Sequence, residues 1–271
     1  MIRDITIGQY YPADSRIHKL DPRVKLFATM IYIIALFCFK GIAGISFIIL
    51  SLALVIKTSK VPFKFIVKGL KAIVVLLVIT ASFNFFFTKG DNVIFEYGII
   101  HITQTGIINA VLMITRLVML IIGTSLMTLT TTPNQLTDGL EKSLGFLSKI
   151  KVPVHEIAMM MSIALRFIPI LIEETDKIMK AQLARGADFE SGNIFKKARN
   201  MVPLIVPLII SAFRRADDLA MAMEARCYNG GEGRTKMKPL TYSKEDFVSY
   251  CIVFAFLAVV IVLRIFLPFP Q

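Results

Sequence analysis

The chain has 271 residues, of which 55% are hydrophobic and only 18% are charged, and its mean hydropathy is +0.68. Soluble domains have about 45–50% apolar and about 25% charged residues, so this composition excludes a disordered chain, a collagen and a disulfide scaffold, and argues against a soluble enzyme. Its 31 Lys and Arg exceed its 19 Asp and Glu, for a net charge of +12. We predict an all-α integral membrane protein whose basic excess marks cytoplasmic loops and no nucleic-acid site.

The sequence carries no pattern typical of a metal or nucleotide site. Its three Cys and three His residues do not occur at the spacings of a metal site or a disulfide framework. A P-loop, Gly-x-x-x-x-Gly-Lys followed by Ser or Thr, is absent. We therefore expect no metal site and no bound cofactor in this chain.

Five apolar runs in chain order are predicted to span the membrane, the shorter ones with flanking lysines that reach the headgroups. The runs are Val24–Phe39, Gly41–Ile56, Ala72–Phe87, Ile107–Leu129 and Phe247–Leu267. Asp21 with Pro22 supplies a helix start for the first run, and Ser243 with Asp246 caps the last.

The basic residues alternate between the two sides of these runs. Four precede the first run, and five lysines from Lys57 to Lys71 lie between the second and third runs without an acidic residue. The loop between the first and second runs and the loop between the third and fourth runs carry few basic residues. This alternation predicts a cytoplasmic N-terminus and an external C-terminus. We expect Lys57 to Lys71 to set this topology and to touch anionic lipid.

A long segment separates the fourth and fifth runs and is predicted to form cytoplasmic helices. Residues 157–172 and 201–213 are apolar enough to resemble spans, but charges such as Arg166 interrupt the first and two prolines interrupt the second. Two extra spans would preserve the topology, so they remain an alternative. The helices are predicted at Pro133–Ser148, Val154–Leu183 and Lys196–Cys227. The predicted parts are 1–130 with four spans, 131–242 with the cytoplasmic helices, and 243–271 with the last span.

The two long cytoplasmic helices end in an internal repeat. Residues 176–186 align without a gap to residues 217–227, and each copy ends in Ala-Arg followed by a small residue. One such Arg would be explained by its favourable interaction with the helix dipole. Two copies at matched positions favour a function, because an Arg on a helix end offers five donors to carboxylates or carbonyls of a partner.

These motifs resemble those of a known family, the transmembrane T component of energy-coupling factor (ECF) vitamin transporters, which is grouped with cobalt-transport membrane proteins. The resemblance covers essentially the whole chain. It rests on the Ala-Arg-Gly pair and on an N-terminal Ser-x-x-His-x-Leu-Asp-Pro-Arg-x-Lys motif at residues 15–25. Cys227 replaces the Gly that is common in the family, which puts the geometry of the second helix end in question.

The resemblance implies a scaffold without chemistry of its own. Such a subunit joins a substrate-binding membrane S component to two ABC-type ATPases, which bind the ATP, and each helix end docks in one ATPase. Arg185 and Arg226 would carry the coupling, and their small neighbours would allow a close fit. Four methionines would contact the S component, although ordinary core packing explains them equally well. The small neighbours are Ala184, Gly186, Ala225 and Cys227, and the methionines are Met159, Met160, Met161 and Met201.

Two other functions stay open at this point. The first is a dedicated T subunit of a cobalt or nickel importer, which need not hold the metal itself. The second is a stand-alone secondary transporter, which would need ionisable groups near the middle of the membrane. Arg116 lies about halfway along the fourth run. We expect a structural role for it, such as pairing with Asn84.

Overall fold

The computed structural model describes residues 10–39, 42–71, 73–87, 93–97, 100–189, 193–231, 237 and 239–266. Over these residues the helices are α1 (Arg16–Lys19), α2 (Pro22–Cys38), α3 (Ile42–Ser59), α4 (Phe63–Lys71), α5 (Val74–Phe87), α6 (Gln104–Thr130), α7 (Pro133–Ser143), α8 (Val154–Ala184), α9 (Ile194–Ala225) and α10 (Lys244–Phe266). A 3-10 helix follows α7 at Gly145–Ile150, and strands β1 (Val93–Tyr97) and β2 (Ile100–Thr103) pair antiparallel before α6. The helical fold class is confirmed.

Within the part of the chain that the structure describes, every predicted apolar run forms a helix, and three helices there are long and apolar enough to cross a membrane. These are Gly106–Thr130 within α6, all of α8, and all of α10, while α4 with α5 forms a fourth candidate that is bent by 64°. The chain is therefore a membrane protein, and the count of five spans stays a prediction. Because α8 meets the same criteria of length and composition, its cytoplasmic placement also stays a prediction.

Three elements differ from the sequence prediction. The helix expected over Pro133–Ser148 ends at Ser143, and a 3-10 helix begins at Gly145, a residue with poor helix propensity. The short helix α4 was not predicted. Neither was the ladder of β1 and β2, whose β-branched and aromatic residues favour strands.

The chain divides into two compact units. The transmembrane unit comprises Gly8–Gly139 and Leu240–Gln271, and the hairpin unit comprises Met1–Ile7 and Leu140–Pro239. The hairpin unit takes its name from α8 and α9.

In the transmembrane unit α6 packs against α2, α3, α4 and α5, and α2 also packs against α10. One buried cluster joins Leu52 and Ile66 to Leu126 and Leu129 of α6. A second cluster centres on Leu36 and Ile48 with Val260 of α10. Away from these clusters large apolar side chains remain exposed, as expected for helices solvated by lipid.

Arg116 of α6 holds the end of α2. Its guanidinium donates to the carbonyl of Phe39 at 2.6 Å, just beyond the last residue of α2, where the helix dipole is negative. This contact stabilises the end of α2, and a structural role for Arg116 stays a prediction. The partner is not Asn84, whose amide donates to the Thr80 carbonyl within α5.

Candidate functional site

The predicted functional residues of the hairpin unit lie on an antiparallel helix pair. Near the end of α8, the Gln182 amide donates to the carbonyl of Pro203, which is close to the start of α9. Further along, the Arg215 guanidinium of α9 donates to the Glu174 carboxylate of α8 at 2.5 Å. Beyond α9, Gly231 lies against the ring of His155 at the start of α8. The two helices therefore run alongside each other in opposite directions.

This arrangement places Arg185 and Arg226 at opposite ends of the pair. Arg185 follows α8 and lies near the beginning of α9, whereas Arg226 follows α9 and lies near the beginning of α8. The Gln182–Pro203 and Glu174–Arg215 contacts place Arg185 beside about residue 201 of α9. The 25 residues from there to Arg226 rise roughly 37 Å at 1.5 Å per residue, which separates the two arginines by about that distance.

The end of α8 is a Schellman motif. The amide of Gly186 donates to the Leu183 carbonyl at 3.0 Å, and that of Ala187 donates to the Gln182 carbonyl at 3.0 Å. Gly186 has a φ of +85°, the left-handed conformation that this motif requires and that glycine adopts without strain. A Cβ at Gly186 would meet nothing within 4 Å.

The end of α9 repeats this geometry bond for bond. The amide of Cys227 donates to the Glu224 carbonyl at 2.9 Å, and that of Tyr228 donates to the Met223 carbonyl at 3.0 Å. Cys227 occupies the left-handed position with a φ of 55°. Replacement of the family glycine by Cys227 therefore leaves the shape of this helix end unchanged.

Both arginines are available to a partner. Arg185 and Arg226 are exposed, as are Ala184 and Ala225 next to them. Among the residues that the structure describes, neither guanidinium makes a hydrogen bond or an ion pair. Each helix end thus presents an unpaired cation on a rigid backbone turn, which suits a groove with carboxylate or carbonyl acceptors.

The four methionines do not form one patch. Met159, Met160 and Met161 lie near the start of α8, whereas Met201 lies near the start of α9 at the other end of the pair. Met160 and Met161 are 58% and 41% exposed and Met201 is 47% exposed, so they are not core residues of the hairpin unit. Met201 begins an exposed apolar stripe on α9 that continues through Val202, Ile205, Val206, Ile209, Ile210 and Phe213.

The structure gives the N-terminal motif a role that the sequence did not reveal. The His18 ring donates from Nε2 to the Tyr11 carbonyl at 3.0 Å, and its Nδ1 accepts from the Ser15 hydroxyl at 2.6 Å. Burial lowers the pKa of His18, which keeps the ring in the neutral form that this pair of bonds uses. The Tyr11 amide donates in turn to the Leu129 carbonyl of α6 at 2.9 Å.

The second half of the motif joins the start of α2 to the start of α10 and the end of α6. The buried Asp246 carboxylate accepts from the Asp21 amide at 2.7 Å and from the Ser243 amide at 2.8 Å. The buried Lys25 ammonium donates to the Thr130 carbonyl at 2.9 Å. Arg23 pairs with both oxygens of Asp21.

We call this network the clasp. Arg23 also donates to the Leu240 carbonyl at 3.4 Å and lies over the Tyr242 ring at 3.8 Å. The signals in the sequence were the density of polar residues before an apolar run and the capping box of α10. The clasp consists of Tyr11, Ser15, His18, Asp21, Arg23, Lys25, Leu129, Thr130, Leu240, Tyr242, Ser243 and Asp246.

Comparison with known proteins decides the family. A family model described as cobalt transport protein, CbiQ, matches residues 13–237. An energy-coupling factor transporter transmembrane protein, EcfT, of Clostridium kluyveri is 57% identical over 266 residues, 98% of each chain. The chain belongs to the family of ECF transporter T components. This confirms the resemblance carried by the two Ala-Arg helix ends and the N-terminal motif.

Other T components are also similar over most of their length. EcfT of Thermosediminibacter oceani is 52% identical over 249 residues, 92% of this chain and 94% of the relative. EcfT of Bacillus subtilis is 45% identical over 246 residues, 91% and 93% of the two chains. The likeness therefore extends over most of each chain. Membrane transport within an ECF system is the role of this T component.

Proposed function

We propose that this T component is the non-catalytic scaffold and energy-coupling subunit of an ABC-type importer. It links two cytoplasmic ATPases, which bind and hydrolyse ATP, to a vitamin-binding S component. The observation that carries the proposal is the pair of exposed arginines, Arg185 and Arg226, each on the same hydrogen-bonded helix end. Because the two helix ends have the same geometry, they suit two copies of the same docking groove, one on each ATPase.

The antiparallel pair explains how one subunit engages two ATPases. Because Arg185 and Arg226 lie at opposite ends of the pair, each reaches a separate ATPase, and the small residues beside them allow close approach. Nucleotide-driven closure of the ATPases would displace both ends.

The S component would bind the apolar faces of α8 and α9. The stripe that begins at Met201, and Met160 and Met161 beside the half-buried Met159, present exposed apolar surface at the two ends of the pair. Flexible methionine side chains adapt to different partner surfaces. In this proposal residues 157–172 and 201–213 serve partner contact at the cytoplasmic side.

The proposed orientation places the N-terminus in the cytoplasm and the C-terminus outside. The clasp joins the starts of α2 and α10 to the end of α6, so α2 and α10 leave this face in the same direction. Arg16, Lys19 and Arg23 lie at this face, and basic residues favour the cytoplasmic side.

The test is a charge reversal at both helix ends in the intact complex. The double variant Arg185→Glu with Arg226→Glu should lose ATPase co-purification and substrate uptake, because each carboxylate would face acceptors that bind a cation. The matched control is Lys177→Glu with Arg199→Glu, which makes the same charge change at exposed positions of the same helices outside residues 157–172 and 201–213. Normal ATPase recovery from the first variant would refute the proposal.

A second experiment tests the chain without its partners. The purified chain alone in liposomes should show no substrate uptake, and uptake there would favour a secondary transporter.

A cobalt or nickel importer is the second candidate, favoured by the description of the matching family model as cobalt transport protein. Within the described residues no group of three or more His, Cys, Asp or Glu side chains could hold a metal ion. A metal cargo would therefore be bound by another subunit. Mass spectrometry of the purified complex separates the candidates, since its membrane partner is either a vitamin-binding or a metal-binding protein.

A further inference from the structure

The helix α4 and the turn before it form a strongly basic segment of the transmembrane unit. Between Asp21 and Asp91 the sequence contains no acidic residue. Within this interval five lysines occur in fifteen positions, from Lys57 to Lys71. Lys57, Lys60, Lys64 and Lys71 are exposed. The proposed coupling function uses none of them.

One face of α4 is fixed to the protein. Ile66 is fully buried, and it packs with Leu126 and Leu129 near the end of α6. Leu70, one turn further along, is packed against the same cluster. Packing of this face holds α4 against the C-terminal end of α6, which also belongs to the clasp.

The rest of the α4 surface divides into an apolar flank and a basic arc. Phe63 is 60% exposed and Val67 is 38% exposed, one turn apart on the same flank. Lys64 and Lys71 lie within about 20° of each other around the helix at 100° per residue, next to that flank. An apolar flank beside a basic arc is the pattern of a helix that lies in a membrane interface.

The direction of α4 agrees with this pattern. It is bent by 64° from α5, the next apolar helix. With α5 crossing the bilayer, α4 lies closer to the membrane plane than to the membrane normal. Phe63 and Val67 then reach the boundary of the acyl chains while the lysine ammonium groups lie at the level of the phosphates.

We propose that α4 and the preceding turn form a binding site for the headgroups of anionic phospholipids, made by Lys57, Lys60, Lys64 and Lys71. The four ammonium groups, of which Lys60 lies near the Asp14 carboxylate, carry a positive charge that matches a surface of negative headgroups. The exposed Phe63 and Val67 select a lipid surface over a soluble anion, because they are removed from water only there. The site draws such lipids to the clasp face and does not depend on the coupling proposal.

The absence of tryptophan from the chain makes a direct test possible. Phe63→Trp places a single fluorophore on the apolar flank of α4 in the purified full-length chain. Quenching by brominated phosphatidylglycerol and by brominated phosphatidylcholine, in vesicles of mixed composition, gives the relative affinity for the two headgroups. The matched control is Phe247→Trp, which is exposed in the first turn of α10 beside Glu245 and Asp246.

We expect the fluorophore of the Phe63→Trp variant to report a preference for phosphatidylglycerol of roughly five- to tenfold, and the control variant to show no such preference. Replacement of the four lysines by glutamine should abolish the preference, and replacement by arginine should retain it. Retained mobility on size exclusion shows that these variants are folded. One molar salt should weaken the preference, because it screens exposed charges.

Several outcomes would overturn the proposal. Equal quenching by the two lipids, or an unchanged preference in the glutamine variant, would show that the lysines do not select headgroups. Absence of quenching would show that another protein surface or water covers α4. Stronger quenching by bromine near the ends of the acyl chains would place α4 inside a span. Displacement of the lipid by inorganic phosphate would indicate a site for soluble anions.

Discussion

At the scale of single residues, Cys227 adopts a backbone conformation that favours glycine. A non-glycine residue in the left-handed region costs roughly 1–2 kcal/mol, and Cys227 accepts this cost at a φ of 55° so that the two carbonyls of the last turn are satisfied. The repeated bonds at Gly186 and Cys227 show that the helix end depends on the turn more than on the residue in it.

Substitutions at these two positions should have opposite effects. Cys227→Gly should raise the free energy of unfolding by about 0.5–1 kcal/mol, and Gly186→Ala should lower it by about 1 kcal/mol. Open space around Gly186 means that the alanine side chain meets no steric barrier, so backbone strain alone is measured. Denaturant unfolding of the purified chain in detergent tests both. Two changes of the same sign would show that the left-handed turn is absent in solution.

At the scale of elements, the antiparallel pair is closed by a contact that leaves no room for a side chain. A Cβ at Gly231 would overlap the ring of His155, and that ring is hydrogen-bonded from Nδ1 to the Glu141 carboxylate of α7 at 3.0 Å. The chain after α9 thereby lies against the start of α8.

Gly231→Ala should therefore destabilise the hairpin unit by about 1–3 kcal/mol, because the His155 ring must leave its position. The control Gly145→Ala, where a Cβ meets nothing within 4 Å, should stay within about 0.5 kcal/mol of the parent chain. Thermal unfolding followed by circular dichroism measures both. Equal melting of the two variants would mean that Gly231 is not packed on His155.

The elements also show what the sequence could predict. The apolar runs located α2, α3, α5, α6 and α10 within a few residues, because long apolar stretches dominate the pattern. The nine-residue helix α4 escaped because it is short and contains three lysines, so it does not stand out as an apolar run even though its residues follow the helical period. The Asp21 to Asp246 bond joins residues 225 positions apart, and one sequence carries no signal for such a pairing.

At the scale of the whole molecule, the clasp ties the first and last predicted spans together. Asp246 is only 2% exposed and accepts from the backbone at two places and from the Ser243 hydroxyl. A buried carboxylate with this many donors holds several chain segments at once. The N-terminal motif of the family is therefore an architectural device of the transmembrane unit.

Asp246→Ala should lower the free energy of unfolding by about 2–4 kcal/mol, since it leaves buried donors without a partner. Asp246→Asn keeps one acceptor oxygen and should cost less. The exposed neighbour supplies the control, and Glu245→Ala should change stability by less than about 0.5 kcal/mol. Thermal unfolding in detergent ranks the three variants, and a clasp that does not stabilise the molecule would leave them indistinguishable.

The antiparallel arrangement of α8 and α9 fixes the distance between the two helix ends that carry Arg185 and Arg226. In the proposed complex both ATPases are held by one rigid spacer, so binding of the first raises the effective concentration of the second, and two weak contacts combine into a durable attachment. Such avidity is lost when the spacing no longer fits. The length of α8, 31 residues, is then under the same constraint as the arginines at the two ends, because adding or removing one helical turn would shift a perfectly formed end by about 5.4 Å out of reach of its groove.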